Sequence, residues 1–399
     1  MEDVIHEKIK DPFMNTYHRL PVVFARGEGS RLWDTAGKVY LDFTSGIAVN
    51  CLGHNHPNLI TAISAQASRL IHTSNYYLSD TARTFAEELI QACKPIGMER
   101  VFLCNSGAEA NEGAIKIARK YAWMKYGSGR HRIVTLKGSF HGRTLTTLSA
   151  TGQDRFHPDA FAPYTEGFLY APPNDLAALD RLLDGTVAAV LMEPVQGESG
   201  IRPLDAEYVR QARQLCTDRD VLLMFDEVQS GVGRTGTFLA SEAFAVEADV
   251  VTLAKGLAGG VPIGAVLAGG KTAEVLGVGD HGSTFGGNPL AAAAGRAVLS
   301  IVTQDAVLSE IRRKGSRIMD TIRSWEHPVV QDVRGRGLMI GIDISVDAWP
   351  VLEGALDQGL LLLTAGQKTL RLLPPYIITD QEIEEGLTVL RSLLDTLHE

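Results

Sequence analysis

Lys255 closes an apolar run, Asp249-Val250-Val251-Thr252-Leu253-Ala254, and opens onto Gly256-Leu257-Ala258-Gly259-Gly260. An amine at the end of a buried strand, with glycines letting backbone close in, is held away from water. That setting lowers an ammonium pKa and leaves a nucleophile, as a Schiff base with an aldehyde requires. A lysine capping a strand end at the surface fits the same residues, so Lys255 alone decides nothing. Upstream, Val221-Leu222-Leu223-Met224-Phe225 runs straight into Asp226 and Glu227, and the run 187–192 runs into Glu193. Asp226 stands 29 residues before Lys255, about one strand–helix–strand unit. Adjacent strands would deliver a carboxylate and an amine to one sheet edge, where ligands of open parallel sheets gather. Taken alone, Asp226 fits a helix N-cap or a Walker-B-like acid equally well.

A lysine for an aldehyde and a carboxylate for a pyridinium nitrogen are the two protein groups that pyridoxal phosphate needs. The carboxylate keeps the ring nitrogen protonated, so the ring can take up the electrons of a carbanion. A phosphate site is the third requirement. Asn105-Ser106-Gly107-Ala108 links the run 101–104 to a helical stretch with Ala110, Ala114, Ile115 and Ala118. A turn of small residues into a helix points N–H groups and the helix dipole at an anion, though such turns are also ordinary loop chemistry. Phe140-His141-Gly142-Arg143 offers an aromatic to stack on a planar ring and an arginine to grip a carboxylate. Core packing explains Phe140 equally well.

Three other motifs are set aside. Gly231-Val232-Gly233-Arg234-Thr235-Gly236 fits the dinucleotide fingerprint, but residues 226–230 separate it from its strand, and the fingerprint belongs in the first turn after a strand. The segment 264–272 resembles a phosphate-binding loop with one residue too many. His54-Asn55-His56, between Gly53 and Pro57 and without a third ligand, reads as a polar turn, so no metal is expected.

The elements that must position these groups follow from the pattern. Apolar runs at 101–104, 133–136, 187–192, 221–225 and 250–254 read as strands, several without the alternation of a half-exposed sheet. Helical stretches at 109–125 and 206–218 lie between them, giving the rhythm of a parallel α/β domain. From about residue 290 a helix leads into strands at 334–344 and 370–373 and a closing amphipathic helix at 380–398. The expectation is a segment 1–45 packing with the small domain, a large domain 46–289 and a C-terminal α+β domain 290–399.

The totals agree with an enzyme of that kind. The 399 residues carry a net charge of −9 with 21% charged residues, which argues against general nucleic-acid binding. Forty glycines suit many tight turns. Cys51, Cys93, Cys104 and Cys216 are scattered without a CxxC pair, as expected of reduced thiols. Met1-Glu2-Asp3-Val4 opens with acids and no apolar core of a signal peptide follows. No apolar run reaches the ~18–20 residues of a membrane span. A cytoplasmic protein without membrane contact is expected.

Together these motifs resemble the class-III, ω-type pyridoxal-phosphate aminotransferases, and within them are most similar to the acetylornithine aminotransferases. The resemblance runs through Tyr40-Leu41-Asp42-Phe43, Leu52-Gly53-His54-Asn55-His56-Pro57, the turn and helix start at 105–111, and 140–143. It continues through Glu193-Pro194-Val195-Gln196-Gly197-Glu198, the stretch 225–236, Lys255-Gly256 and Gly282-Ser283-Thr284-Phe285-Gly286-Gly287-Asn288. It implies a fold-type I α/β enzyme, a mainly parallel sheet covered by helices plus a smaller α+β domain, forming a homodimer with active sites at the interface. By position Lys255 would form the Schiff base and carry the proton, and Asp226 would pair with the pyridine nitrogen. Gln229 would contact the phenolic oxygen, Gly107 and Ala108 the phosphate, and Phe140 would stack on the ring. Ser106, Glu227 and Val228 would complete the cofactor's surroundings. Thr284 would reach the phosphate of the neighbouring subunit, and Ser283 would lie near the substrate.

Two arginines would read the substrates. Arg143 would bind the donor's distal carboxylate or the γ-carboxylate of 2-oxoglutarate, and Arg371 the α-carboxylate of the oxo acid. Glu198 would mask Arg371 while the donor's terminal amine is bound. The reaction implied is ping-pong transfer of the δ-amine of N2-acetylornithine to 2-oxoglutarate. Ala108 stands where the family often has threonine, and Ser199 where it often has glycine, without loss of the backbone donors. Ornithine, succinylornithine, 4-aminobutyrate and N-acetyl-lysine-type aminotransferases share these residues. An aminomutase or a catalytically dead cofactor-binding scaffold are more distant alternatives.

Overall fold

A computed structural model describes residues 12–397; the acidic opening at Met1 to Val4 and the end of the closing helix at His398 lie outside the described residues. The first sheet is an antiparallel meander of β1 (Phe24–Glu28), β2 (Arg31–Asp34) and β3 (Val39–Asp42). The central sheet has seven strands: β4 (Arg100–Cys104), β5 (Arg132–Leu136), β6 (Phe168–Ala171), β7 (Val187–Met192), β10 (Leu222–Asp226), β11 (Val250–Leu253) and β12 (Gly264–Ala268). β8 (Val195–Gln196) and β9 (Arg202–Pro203) form a short ribbon between β7 and β10. The central order is β4-β12-β11-β10-β7-β5-β6, parallel except for β12, which runs antiparallel to both β11 and β4.

Every residue of β7 and β10 is buried, because helices cover both faces and leave no solvated side to impose alternation. The helix Gly107–Tyr126 packs on β11 and β12 through Ala110, Ala114 and Ala118. Its small residues let the backbone approach closely: a Cβ on Gly113 would stand 2.8 Å from the Val266 side chain. The helix Ala206–Asp218 has the bounds its sequence pattern predicts.

Three features depart from the sequence reading. The strands β6 and β12 were not anticipated, and β12 occupies the start of the segment resembling a phosphate loop. The single strand expected at 334–344 is a hairpin, β13 (Val330–Arg336) and β14 (Met339–Ile344), turning at Gly337 with φ 53°. After the helix Trp349–Asp357 come β15 (Leu360–Leu361), β16 (Leu363–Ala365) and β17 (Thr369–Leu372). β14 and β17 pair antiparallel with Gly341 opposite Arg371, whereas β15 joins β3 in parallel. The closing helix is Asp380–Thr396.

The four cysteines are free and buried. His54 Nε2 lies 2.9 Å from Asp42, and His56 is the residue before the helix Pro57–Arg69, so the two histidines serve a turn and a helix start. No single helix among the described residues is long and apolar enough to cross a membrane.

Candidate active site

The carboxyl ends of β4, β7, β10 and β11 surround a cavity of ≈ 440 Å³ lined by Lys255, Asp226, Phe140, Arg143 and Gln229 among others. Asp226 is the last residue of β10 and pairs in register with Thr252 of β11. Lys255 follows three residues later in a left-handed conformation, φ 41°. Such a backbone costs about 1–3 kcal/mol in a non-glycine residue and persists where the surroundings enforce it. Half-buried at the cavity wall, the Lys255 ammonium is pulled down to about 8 by burial, against the attraction of Glu198, Glu193 and Asp226. A neutral amine is thereby available near neutral pH.

Asp226 is fixed from below. Its Oδ2 accepts from His141 Nδ1 at 2.8 Å and Asn111 Nδ2 at 2.7 Å, and its Oδ1 accepts from Val228 N at 3.0 Å. Asn111 also donates to His141 O, and its own oxygen accepts from Thr252 Oγ1. His141 and Asn111 were not assigned to the site from sequence. A polar Asn111 on a helix face otherwise buried through alanines is the signal that would have found it.

At the opposite end Ser106 caps the helix Gly107–Tyr126, accepting from Glu109 N. This leaves the N–H groups of Gly107 and Ala108 at the start of a 20-residue helix bordering the cavity. A Cβ on Gly107 would stand 2.6 Å from the Val228 side chain, so only glycine fits the cradle. Glu193, at the end of β7, receives Phe140 N at 2.8 Å and Gly197 N at 3.1 Å. Burial pushes its carboxyl up to about 7, partly offset by His141.

The turn after β8 places Glu198 against β17. Arg371 Nη1 donates to Glu198 Oε1 at 2.6 Å and to Gly197 O at 3.3 Å, and Gln229 Nε2 donates to the same Oε1 at 3.3 Å. Burial raises the Glu198 carboxyl, but Arg371 and Lys255 outweigh it and hold it down at about 2. Arg143 is exposed on the cavity rim, with Phe156 and Phe140 beneath its guanidinium at 4.7 Å and 5.8 Å. Among the described residues no carboxylate pairs with it.

Not every residue singled out in the sequence reaches this cavity. The Glu227 carboxylate is buried beneath it and accepts from Ala240 N, Ser241 N and Ser230 Oγ. Ser283 and Thr284 line a separate surface hollow with Phe102 and His281. Ser283 Oγ there accepts from Asn105 Nδ2 and Gly286 N.

The cavity fits pyridoxal phosphate by its donor set: a lysine amine, a carboxylate anchored by three donors, and free N–H groups at a helix start. Gln229 adds a buried Oε1 without a protein partner.

Known proteins agree with that fit. Residues 13–394 match the family described as "Aminotransferase class-III". The acetylornithine aminotransferase of Caldanaerobacter subterraneus subsp. tengcongensis is 47% identical, over 97% of this chain and 98% of that one. Among solved structures, N-acetylornithine aminotransferase from Stenotrophomonas maltophilia superposes with TM-score 0.83 at 40% identity, covering 100% of this chain and 99% of that one. The ornithine aminotransferase of Toxoplasma gondii, whose description records partial occupancy of PLP, gives TM-score 0.93 at 32% identity, over 100% and 95%. Matched along nearly its whole length by proteins of one kind, the chain belongs to the class-III aminotransferases, enzymes that depend on pyridoxal phosphate.

Proposed function

We propose that the enzyme transfers the δ-amine of N2-acetyl-L-ornithine to 2-oxoglutarate by a ping-pong reaction, giving N-acetyl-L-glutamate 5-semialdehyde and L-glutamate, a step of arginine biosynthesis. The observation that carries this reading is the Arg371–Glu198 pair at 2.6 Å, facing Lys255. An unpaired guanidinium there would draw in the α-carboxylate of an amino acid and present its α-amine. Paired, it leaves the cavity to a donor whose reactive amine is terminal. Identity of 47% to acetylornithine aminotransferases supports that donor, while ornithine remains the second reading because the T. gondii enzyme superposes so closely.

When bound, pyridoxal phosphate supplies an aldehyde carbon for amine exchange and a ring that takes up the electron pair of the substrate C–H bond. Gly107 and Ala108 N–H, with Ser106, would hold its phosphate. Phe140 and Val228 would flank the ring, Gln229 would meet its phenolic oxygen, and Asp226 would hold the ring-nitrogen proton. Lys255 Nζ would take the proton from the substrate carbon and deliver it to the cofactor's former aldehyde carbon within the same half-reaction, a task for an amine neutral near the working pH. Arg143 binds the donor's distal carboxylate and then the γ-carboxylate of 2-oxoglutarate. Glu198 swings from Arg371 when the oxo acid's α-carboxylate arrives.

We assign a homodimer to this reaction. Tyr76, Tyr77, Leu78 and Val278 are exposed around the hollow that holds Ser283 and Thr284, an apolar surface of the kind that marks an interface. Across it Thr284 would reach the partner's phosphate site. Glu227 is best placed as a support for the loop below the cofactor, through its bonds to Ala240 and Ser241.

Two predictions belong here. Purified enzyme supplied with N2-acetylornithine and 2-oxoglutarate should form glutamate in step with the semialdehyde, with parallel double-reciprocal lines. Glutamate formation confined to another donor would refute the assignment. Replacing Glu198 by Gln should raise the rate with glutamate relative to N2-acetylornithine by about tenfold, since one lost charge-assisted bond is worth about 1.5–3 kcal/mol. An unchanged ratio would remove the masking role.

A further inference from the structure

The turn Gly231-Val232-Gly233-Arg234-Thr235-Gly236 is set back from its strand β10 by residues 227–230, and none of the roles above uses it. It carries Arg234, a guanidinium only 1% exposed. Its Nη1 donates to Leu338 O at 3.0 Å and Pro374 O at 2.6 Å, and its Cζ lies 4.6 Å from the Tyr376 ring. Among the described residues no carboxylate pairs with it, and Nε and Nη2 have no partner. Burying a charge without a counter-ion is costly, so the arrangement calls for an explanation beyond packing.

The placement of its two acceptors supplies one. Leu338 immediately precedes β14, and Pro374 lies two residues beyond β17. These two strands pair with Gly341 opposite Arg371. One guanidinium nitrogen therefore grips the carbonyl just before one, and a carbonyl two residues after the other, of the strands that set the register of Arg371. Further bonds hold the same joint: Leu338 N donates to Arg234 O at 3.0 Å, and Tyr376 OH donates to Val232 O at 2.9 Å. A Cβ on Gly337 would stand 2.5 Å from Thr235 C, so no slack remains between turn and hairpin. The turn begins directly after Gln229 and Ser230, and Gln229 donates to Glu198. A single loop thus touches the Glu198 carboxylate at one end and the segment that follows the strand of its arginine partner at the other.

We propose that Arg234 is a positioning residue that fixes Arg371 relative to Glu198 and so governs the binding of α-carboxylates, an inference that rests on the roles given above to those two residues. Substrates that must seat an α-carboxylate on Arg371 depend on this joint. A donor that meets the Arg371–Glu198 pair closed does not.

The test compares single half-reactions of the holoenzyme and its Arg234→Lys variant, which keeps the charge and loses the fork. Glutamate, and 2-oxoglutarate added to enzyme already aminated by donor, should react at least about tenfold more slowly, since misplacing a binding group by about 1 Å costs up to about 100-fold. N2-acetylornithine should change less than about threefold. Equal losses with all three substrates, or no loss, would overturn the proposal. Tyr376→Phe removes the hydroxyl that bonds Val232 O and keeps the ring beneath Arg234, so it keeps the test available if Arg234→Lys folds poorly. It should show the same selectivity at smaller size, and an even loss there contradicts the proposal. Arg371→Ala separates the two levels. If it leaves glutamate unaffected, the reading of Arg371 fails. If it impairs glutamate while Arg234→Lys shows no selectivity, only the role of Arg234 fails.

Discussion

Lys255→Ala is expected to retain pyridoxal phosphate and lose transamination on the order of 10⁴-fold, the upper range for removing a positioned acid–base group. The cofactor should stay because the other holds proposed for it are independent of the amine: the N–H groups of the helix start at Gly107, the Asp226 carboxylate and the Phe140 ring. The rate falls because each of the other ionisable groups lining the cavity is tied up or unsuited to the transfer, His141 by its bond to Asp226. Asp226 is committed to His141 and Asn111, Glu193 to two backbone N–H groups, and Arg143 is a guanidinium. Added primary amines should restore part of the rate. Stopped-flow absorbance of the bound cofactor on mixing with donor measures both quantities. Turnover within tenfold of the parent would show that Lys255 is not the proton carrier.

The second large effect is at Asp226. Asp226→Ala should lower transamination by about 10²–10³-fold, the usual loss for one preorganised electrostatic group. It should also destabilise the protein by about 1–3 kcal/mol for each buried donor left without a partner. His141 Nδ1 and Asn111 Nδ2 are the buried side-chain donors, and Val228 N is a third, partly buried one. Asp226→Asn keeps an oxygen for one of them, so it should fold more stably than the alanine variant and still lose most of the rate. That divergence separates charge from packing. Equal rates for the parent and Asp226→Asn, with thermal stability unchanged, would mean that the carboxylate charge does nothing for the chemistry.

The distribution of what the sequence shows has a physical cause. Lys255 and Asp226 were legible because each ends an apolar run, and their spacing matches one strand–helix–strand unit, both local properties. The antiparallel β12 was not, because Gly264 to Ala268 has the same apolar character as its parallel neighbours and strand direction is set by pairing with β4 and β11. The hairpin at Gly337 was missed for a related reason: β-prone residues flank a turn whose only mark is a glycine. The joining of β15 to β3 brings together residues more than 300 apart, a pairing that no local pattern encodes. Within the site, Phe140 and Arg143 are named by their motif, yet the His141 between them holds the Asp226 carboxylate. Its role depends on Asn111, which arrives from another helix, and only the folded chain brings the three together.

The most direct test of the account is a panel of first half-reactions on the holoenzyme, following the cofactor's absorbance with N2-acetylornithine, ornithine, 4-aminobutyrate and glutamate in turn. The account predicts that N2-acetylornithine reacts fastest, because Arg143 would receive its carboxylate and Glu198 would keep Arg371 closed to the α-carboxylate of a donor. Glutamate reacting faster than every terminal amine would contradict both the masking pair and the proposed donor.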